Sequence, residues 1–180
     1  MRTKIATLLA LAASLALAAG AMAAVTPLPD DDYNEGCTPG PGGLAVAGDG
    51  ADDRIDGTEV TDLIRGGGGD DAIDGLGAYD CLFGDQGNDR VSGGDDADQL
   101  DGSVGKDSLK GEDGNDIVFG GGGKDKIKGG EGRDRIDAGG GKDVIDGGPD
   151  KDNLKCGGGK DLVKNAAKDK VAEDCEKVKK

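Results

Sequence analysis

Hydrophobic and polar positions between residues 48 and 164 repeat with a period of nine. An Asp stands at every ninth place: Asp53, Asp62, Asp71, Asp80, Asp89, Asp98, Asp107, Asp116, Asp125, Asp134, Asp143, Asp152 and Asp161. Two places after each comes an aliphatic residue: Ile55, Ile64, Ile73, Leu82, Val91, Leu100, Leu109, Val118, Ile127, Ile136, Ile145, Leu154 and Val163. Thirteen nine-residue repeats thus fill 117 residues without insertion or deletion. A fixed carboxylate and a fixed apolar residue at one short period mark a chain wound into stacked coils.

Numbering each repeat from 1 to 9 puts the Asp at position 6 and the aliphatic residue at position 8. Positions 1 to 6, rich in Gly, predict a tight turn, since Gly accepts positive φ without steric cost. Positions 7 to 9 predict a short strand whose central side chain points inward and whose neighbours point outward. Two repeats complete a coil of 18 residues, so the prediction is an all-β parallel β-roll of about six and a half coils, roughly 30 Å long at the spacing of stacked strands. Its core is two facing columns, one running from Ile55 to Val163 and the other from Ile64 to Leu154.

Outside the repeats the pattern changes. Residues 1–23 begin with Arg2 and Lys4, continue with an apolar run from Ile5 to Ala19, and offer Ala21-Met22-Ala23 for cleavage. They are expected to be a signal peptide for bacterial export, too short and Ala-rich for a membrane span. Residues 24–47, rich in Pro, Gly and Asp, are expected to be an extended linker and cap. After Lys164 the register slips, with Asp169 and Val171 echoing the repeat one place early. Residues 165–180 are therefore expected to be a degenerate last coil serving as a cap, with a short helix as an alternative.

Composition makes this fold conditional. Gly accounts for 37 of the 180 residues and aromatics for 2%, which without a period would read as disorder. Thirteen aliphatic side chains are a small core for 117 ordered residues, and stacking carboxylates opposes folding further. Something cationic is needed for the roll to close. Without Arg2 and Lys4 the chain carries 20 Lys plus Arg against 37 Asp plus Glu, a net charge of −17. That acidity argues against nucleic acid and anionic membranes as partners. The charge is also graded: residues 48–101 hold 3 cations against 16 anions, residues 102–164 hold 12 against 13. Much of the change lies at position 5, which becomes Lys106, Lys124, Arg133, Lys142, Lys151 and Lys160. These cations either relieve repulsion in the Asp column or simply solubilise the surface.

Cys37, Cys81, Cys156 and Cys175 all follow the leader, and an even count in an oxidising compartment suggests two disulfides. Three pairings are possible. Cys81 is placed to face outward from a strand within reach of Cys37, and Cys156 opens the last regular repeat just before the tail holding Cys175. Cys37 with Cys81 and Cys156 with Cys175 is the favoured pairing, each bridge tying one end of the roll.

The best-formed repeats read GGGGDDAID from Gly66, GGGGKDKIK from Gly120 and GGEGRDRID from Gly129. This G-G-x-G-x-D-x-U-x pattern, with U aliphatic, resembles the RTX, or haemolysin-type, calcium-binding repeats. The resemblance covers about two thirds of the chain and implies several Ca²⁺ ions, each between stacked turns and held by Asp carboxylates and carbonyls of the Gly-rich loops. Hard oxygen donors suit Ca²⁺, whereas a chain without His and with paired Cys suits neither Zn²⁺ nor Cu²⁺.

Position 4 distinguishes the two edges of the roll. Turns beginning at Gly66, Gly84, Gly102, Gly120, Ala138 and Cys156 keep a Gly there: Gly69, Gly87, Gly105, Gly123, Gly141 and Gly159. A continuous row of five sites is expected on that edge, linking Asp71, Asp89, Asp107, Asp125, Asp143 and Asp161. On the other edge position 4 is Val60, Ala78, Asp96, Gly114, Gly132 and Asp150. Fewer sites are expected there, chiefly among Asp98, Asp116, Asp134 and Asp152.

Other chemistry finds no support. GGGGKD lacks the spacing and the hydroxyl residue of a phosphate-binding loop. DDRIDGTEVTDL places Arg54 and Leu63 where an EF-hand needs oxygen donors, and a chain without His has no His-based catalytic centre. The expected function is a secreted, monomeric calcium-binding protein with folding coupled to binding and a structural or cell-surface role, and no enzyme activity. Two alternatives are an adhesion or ice-binding solenoid, disfavoured by its mixed outward residues, and a non-catalytic module of a larger RTX-type exoprotein.

Overall fold

The computed structural model describes residues 37–179. The expected signal peptide and residues 24–36 of the expected linker lie outside them. Every inward aliphatic side chain predicted from the period is buried, at 7% exposure for Ile55 and 3% or less for the other twelve. Strands pair in parallel with partners 18 residues away, Ile55 with Ile73 and Ile64 with Leu82, and so on through the repeats. The chain winds into a parallel β-solenoid of about seven turns, and the described residues contain no helix.

Two parallel sheets face each other across the core. One takes Arg54–Thr58, Ala72–Gly77, Arg90–Asp95, Ser108–Asp113, Lys126–Glu131, Val144–Asp146, Leu162–Lys164 and Lys177–Val178. The other takes Ala45–Ala47, Leu63–Gly68, Cys81–Gln86, Gln99–Asp101, Ile117–Phe119, Arg135–Asp137, Asn153–Lys155 and Lys170–Val171. A ladder of turn residues, Val104–Gly105, Gly122–Gly123, Gly140–Gly141 and Gly158–Gly159, continues the second sheet along one edge.

The ends reach beyond the regular repeats. Ala45–Ala47, within the stretch expected as linker, forms a strand that stacks Val46 on Ile64. Past Lys164 the coil shortens: Leu154 pairs with Val171 and Val163 with Val178, 17 and 15 residues on. These three cap strands close over core that an open solenoid end would expose. Disulfides join Cys37 to Cys81 and Cys156 to Cys175, with Cα atoms 5.6 and 5.1 Å apart. Cys81 points out of its sheet as expected, yet the bridge leaves it fully buried. Beside it, on the same outer face, the Arg65 guanidinium lies 5.0 Å from the Phe83 ring centroid and pairs with Asp85.

Candidate metal centre

The turns bring the period-nine carboxylates into two columns, one at each edge of the roll. From Asp62 to Asp161 these side chains are 0–2% exposed. One oxygen of each is fixed by the backbone: the N–H of Asp53 donates to Asp71 Oδ1, that of Asp71 to Asp89 Oδ1, and that of Asp89 to Asp107 Oδ1, at 2.8–2.9 Å. The same bond runs up the other edge from Asp62 to Asp80, Asp98, Asp116, Asp134 and Asp152. Each carboxylate is thereby anchored through Oδ1 to the coil that precedes it.

The second oxygen has no partner. Oδ2 of Asp71, Asp89, Asp107, Asp125, Asp143 and Asp161 on one edge is buried without a hydrogen bond, as is Oδ2 of Asp80, Asp98, Asp116, Asp134, Asp152 and Asp169 on the other. A buried, unpaired carboxylate oxygen is costly, and here the cost recurs in each coil from Asp71 onward. Other oxygens converge on the same places. A β-carbon built on Gly102 would lie 2.6 Å from Asp107 Oδ2 and 2.7 Å from the Gly120 carbonyl oxygen; one on Gly84 would lie 2.5 Å from Asp89 Oδ2 and 3.0 Å from the Gly102 carbonyl oxygen. Gly66 and Gly120 stand in the same relation to Asp71 and Asp125. At position 4 the turns nearly touch, so that a β-carbon on Gly87, Gly105, Gly123, Gly141 or Gly159 would come within 1.4–1.7 Å of the carbonyl oxygen one coil before it. Orphaned carboxylate oxygens beside carbonyls of the neighbouring coil form an all-oxygen donor set, and it fits hard divalent cations.

Electrostatics agrees. Burial, reinforced by the charges of Asp80 and Asp116, pushes the Asp98 carboxyl up to about 8 against the bond from the Asp80 N–H. Burial likewise raises Asp80, Asp107 and Asp134 to about 7 and Asp89, Asp116 and Asp125 to about 6. Without a cation these groups keep protons that an exposed Asp loses near pH 4.

Asp62 behaves differently. Thr58 donates to it from its backbone N–H at 2.6 Å and from its hydroxyl at 3.1 Å, so its Oδ2 is not orphaned. The Thr58 hydroxyl oxygen in turn accepts from the Val60 N–H at 3.3 Å. Two Asp residues outside the expected sites carry an orphaned Oδ2. Asp80 follows Ala78, which takes the left-handed conformation at φ 72° despite its side chain, and Asp169 lies in the coil where the register slips. The period marks Asp80; Asp169 keeps the two-residue spacing to its aliphatic partner, Val171, but stands one place out of the period.

Comparison with curated proteins finds no match. The pattern of the RTX calcium-binding nonapeptide repeat matches four times, over residues 47–80, 80–109, 92–127 and 119–154. These segments span most of the solenoid and both columns of carboxylates, and the chain belongs to the RTX calcium-binding nonapeptide repeat family.

Proposed function

We propose that this chain is a secreted structural or cell-surface protein that calcium orders into a roll outside the cell. RTX nonapeptide repeats bind Ca²⁺, and the repeat roll is a structural calcium-binding module. The observation that carries the proposal is the orphaned, buried Oδ2 repeated from Asp71 to Asp161 in one column and from Asp80 to Asp169 in the other. Calcium is held along the row Asp71, Asp89, Asp107, Asp125, Asp143 and Asp161, with carbonyls of the Gly-rich turns completing each site. The opposite row holds further ions at Asp98, Asp116, Asp134 and Asp152. Asp80 and Asp169, which share the orphaned oxygen, extend that row at its two ends.

Folding is coupled to binding because repulsion and desolvation within the columns oppose the roll until cations enter. Extracellular calcium near millimolar matches sites of about 10⁻⁴ to 10⁻³ M, while low calcium before export keeps the chain loose. Residues 1–23 serve as the leader, 48–164 as the regular roll, and the flanking segments as caps held by the two disulfides. The role is non-catalytic. A calcium titration followed by circular dichroism and calorimetry tests it: the expected result is a cooperative gain of β signal with several ions bound. Identical, fully protected amides in excess chelator and in calcium would overturn it. Intact mass of the exported chain tests the leader, and a chain still starting at Met1 would exclude cleavage.

A further inference from the structure

The residues just before the Asp column on one edge form an exposed row that changes sign halfway along the roll. From the N-terminal end it reads Asp52, Asp70, Asn88, Lys106, Lys124, Lys142 and Lys160, all exposed. The row is held in line by the fold. The Asp70 N–H donates to Asp52 Oδ1 at 2.9 Å, the Asn88 N–H to Asp70 Oδ1 at 2.8 Å, and the Lys106 N–H to Asn88 Oδ1 at 3.1 Å. Further along, the backbone ladder pairs Gly122 with Gly140 and Gly140 with Gly158, beside the lysines. Successive members are therefore one coil apart, about 4.8 Å.

Even spacing with a change of sign is self-complementary. We propose that two calcium-loaded chains pair antiparallel along this row, about a two-fold axis between Asn88 and Lys106. That axis sets Asp70 of each chain against Lys124 of the other and Asp52 against Lys142, so four ion pairs form at one register. An isologous contact of this kind closes on itself and stops at the dimer. The surroundings admit a close approach: the turn tips beside the row include Gly68, Gly122 and Gly140, and the apolar Val104, 62% exposed, lies beside its centre. The proposal rests on the calcium reading, because the row is straight only when the turns are stacked.

Sedimentation velocity in calcium tests it. At low ionic strength the wild-type chain is expected to dimerise with rising concentration, and raising NaCl to about 0.5 M should weaken pairing at least tenfold as the charges are screened. Asp70→Lys and Lys124→Asp each place like charges opposite one another, so either variant alone should sediment as a monomer. Mixed in equal amounts they should pair again, since the lysine introduced into one chain then faces the aspartate introduced into the other. Val104→Glu provides a second disruption at a side chain that is 62% exposed. A gain of β signal in calcium is read on every sample, so failure to order would count against calcium-coupled folding, and ordering without association against the dimer. A wild-type chain that orders yet stays monomeric at low salt, as the sequence alone suggests, would overturn the proposal. So would unchanged dimers of both charge variants, or a monomer whose lysine row instead binds the polyanion heparin and loses it on Lys124→Asp.

Discussion

At the scale of single residues the roll is decided by atoms that have no room and atoms that have no partner. Gly140 and Gly141 are chain neighbours with opposite tolerances. A β-carbon on Gly140 meets nothing within 4 Å, whereas one on Gly141 would lie 1.4 Å from the Gly123 carbonyl oxygen at φ 154°. Gly141→Ala should therefore cost about 3 kcal/mol or more, from strain and forced separation of two coils, while Gly140→Ala should stay within about 0.5 kcal/mol. Denaturant unfolding in saturating calcium measures both, and similar midpoints would mean that the turns do not stack this closely. The Asp columns give a second contrast. Asp107 lies between two turns that keep Gly at position 4, while Asp80 follows Ala78, which holds a left-handed φ at some cost. Isothermal titration of Asp107→Ala should show a greater loss of bound calcium than that of Asp80→Ala. Equal losses would mean that the orphaned oxygen alone, present at both residues, defines a site.

At the scale of elements, the rungs were legible because one spacing carried three kinds of information. The aliphatic residue at position 8 fixes the inward face, the Asp at position 6 fixes the turn, and the common period fixes the 18-residue register seen from Ile55–Ile73 to Ile145–Val163. The ends were less legible because there one signal fails while the physics persists. The rung Ala45–Ala47 lacks its Asp, since Leu44 occupies that place. Even so, the Leu44 N–H donates to Asp62 Oδ1 as each column Asp donates to the next, so the backbone completes a coil that the side-chain pattern does not announce. At the other end Asn165 at φ 55° and two shortened coils replace the helix that composition allowed. The orphaned Oδ2 atoms could not be read from sequence at all, because whether a carboxylate has a partner depends on residues such as Thr58 that hold no fixed place in the repeat. The bridge Cys156–Cys175, closing 19 residues, fastens this irregular end. Replacing both cysteines by Ser should cost about 3 kcal/mol, and hydrogen exchange should place the loss in residues 165–179. Uniform loss of protection along the roll would instead make the end a cooperative part of the whole.

At the scale of the whole molecule, calcium and protons compete for the same two columns, and the sign of the pH dependence follows from the direction of the shifts. In the unfolded chain these carboxyls titrate near 4; in the roll without metal burial raises them, to about 8 at Asp98 and about 6 at Asp125. Between those limits the folded chain binds more protons than the unfolded one, so its stability falls as pH rises from about 4 to about 8. Below about 4 both forms are protonated and the penalty is gone. In excess chelator, acidification from pH 8 to 5 should therefore increase β signal, while in saturating calcium the signal should change little over the same interval. Moving towards the pI of about 4.3 would also lessen general repulsion, and Asp98→Asn separates the two causes. An amide at this position removes one buried charge while leaving the turn intact, so the variant should order more readily than wild type in chelator at pH 8 and bind calcium less tightly. Opposite effects on the metal-free and calcium-bound states are what a ligand does when its charge is a burden until the ion arrives. A variant less ordered than wild type in chelator would show that the column holds the roll together by hydrogen bonding, and that repulsion between its members is not what keeps the calcium-free chain open.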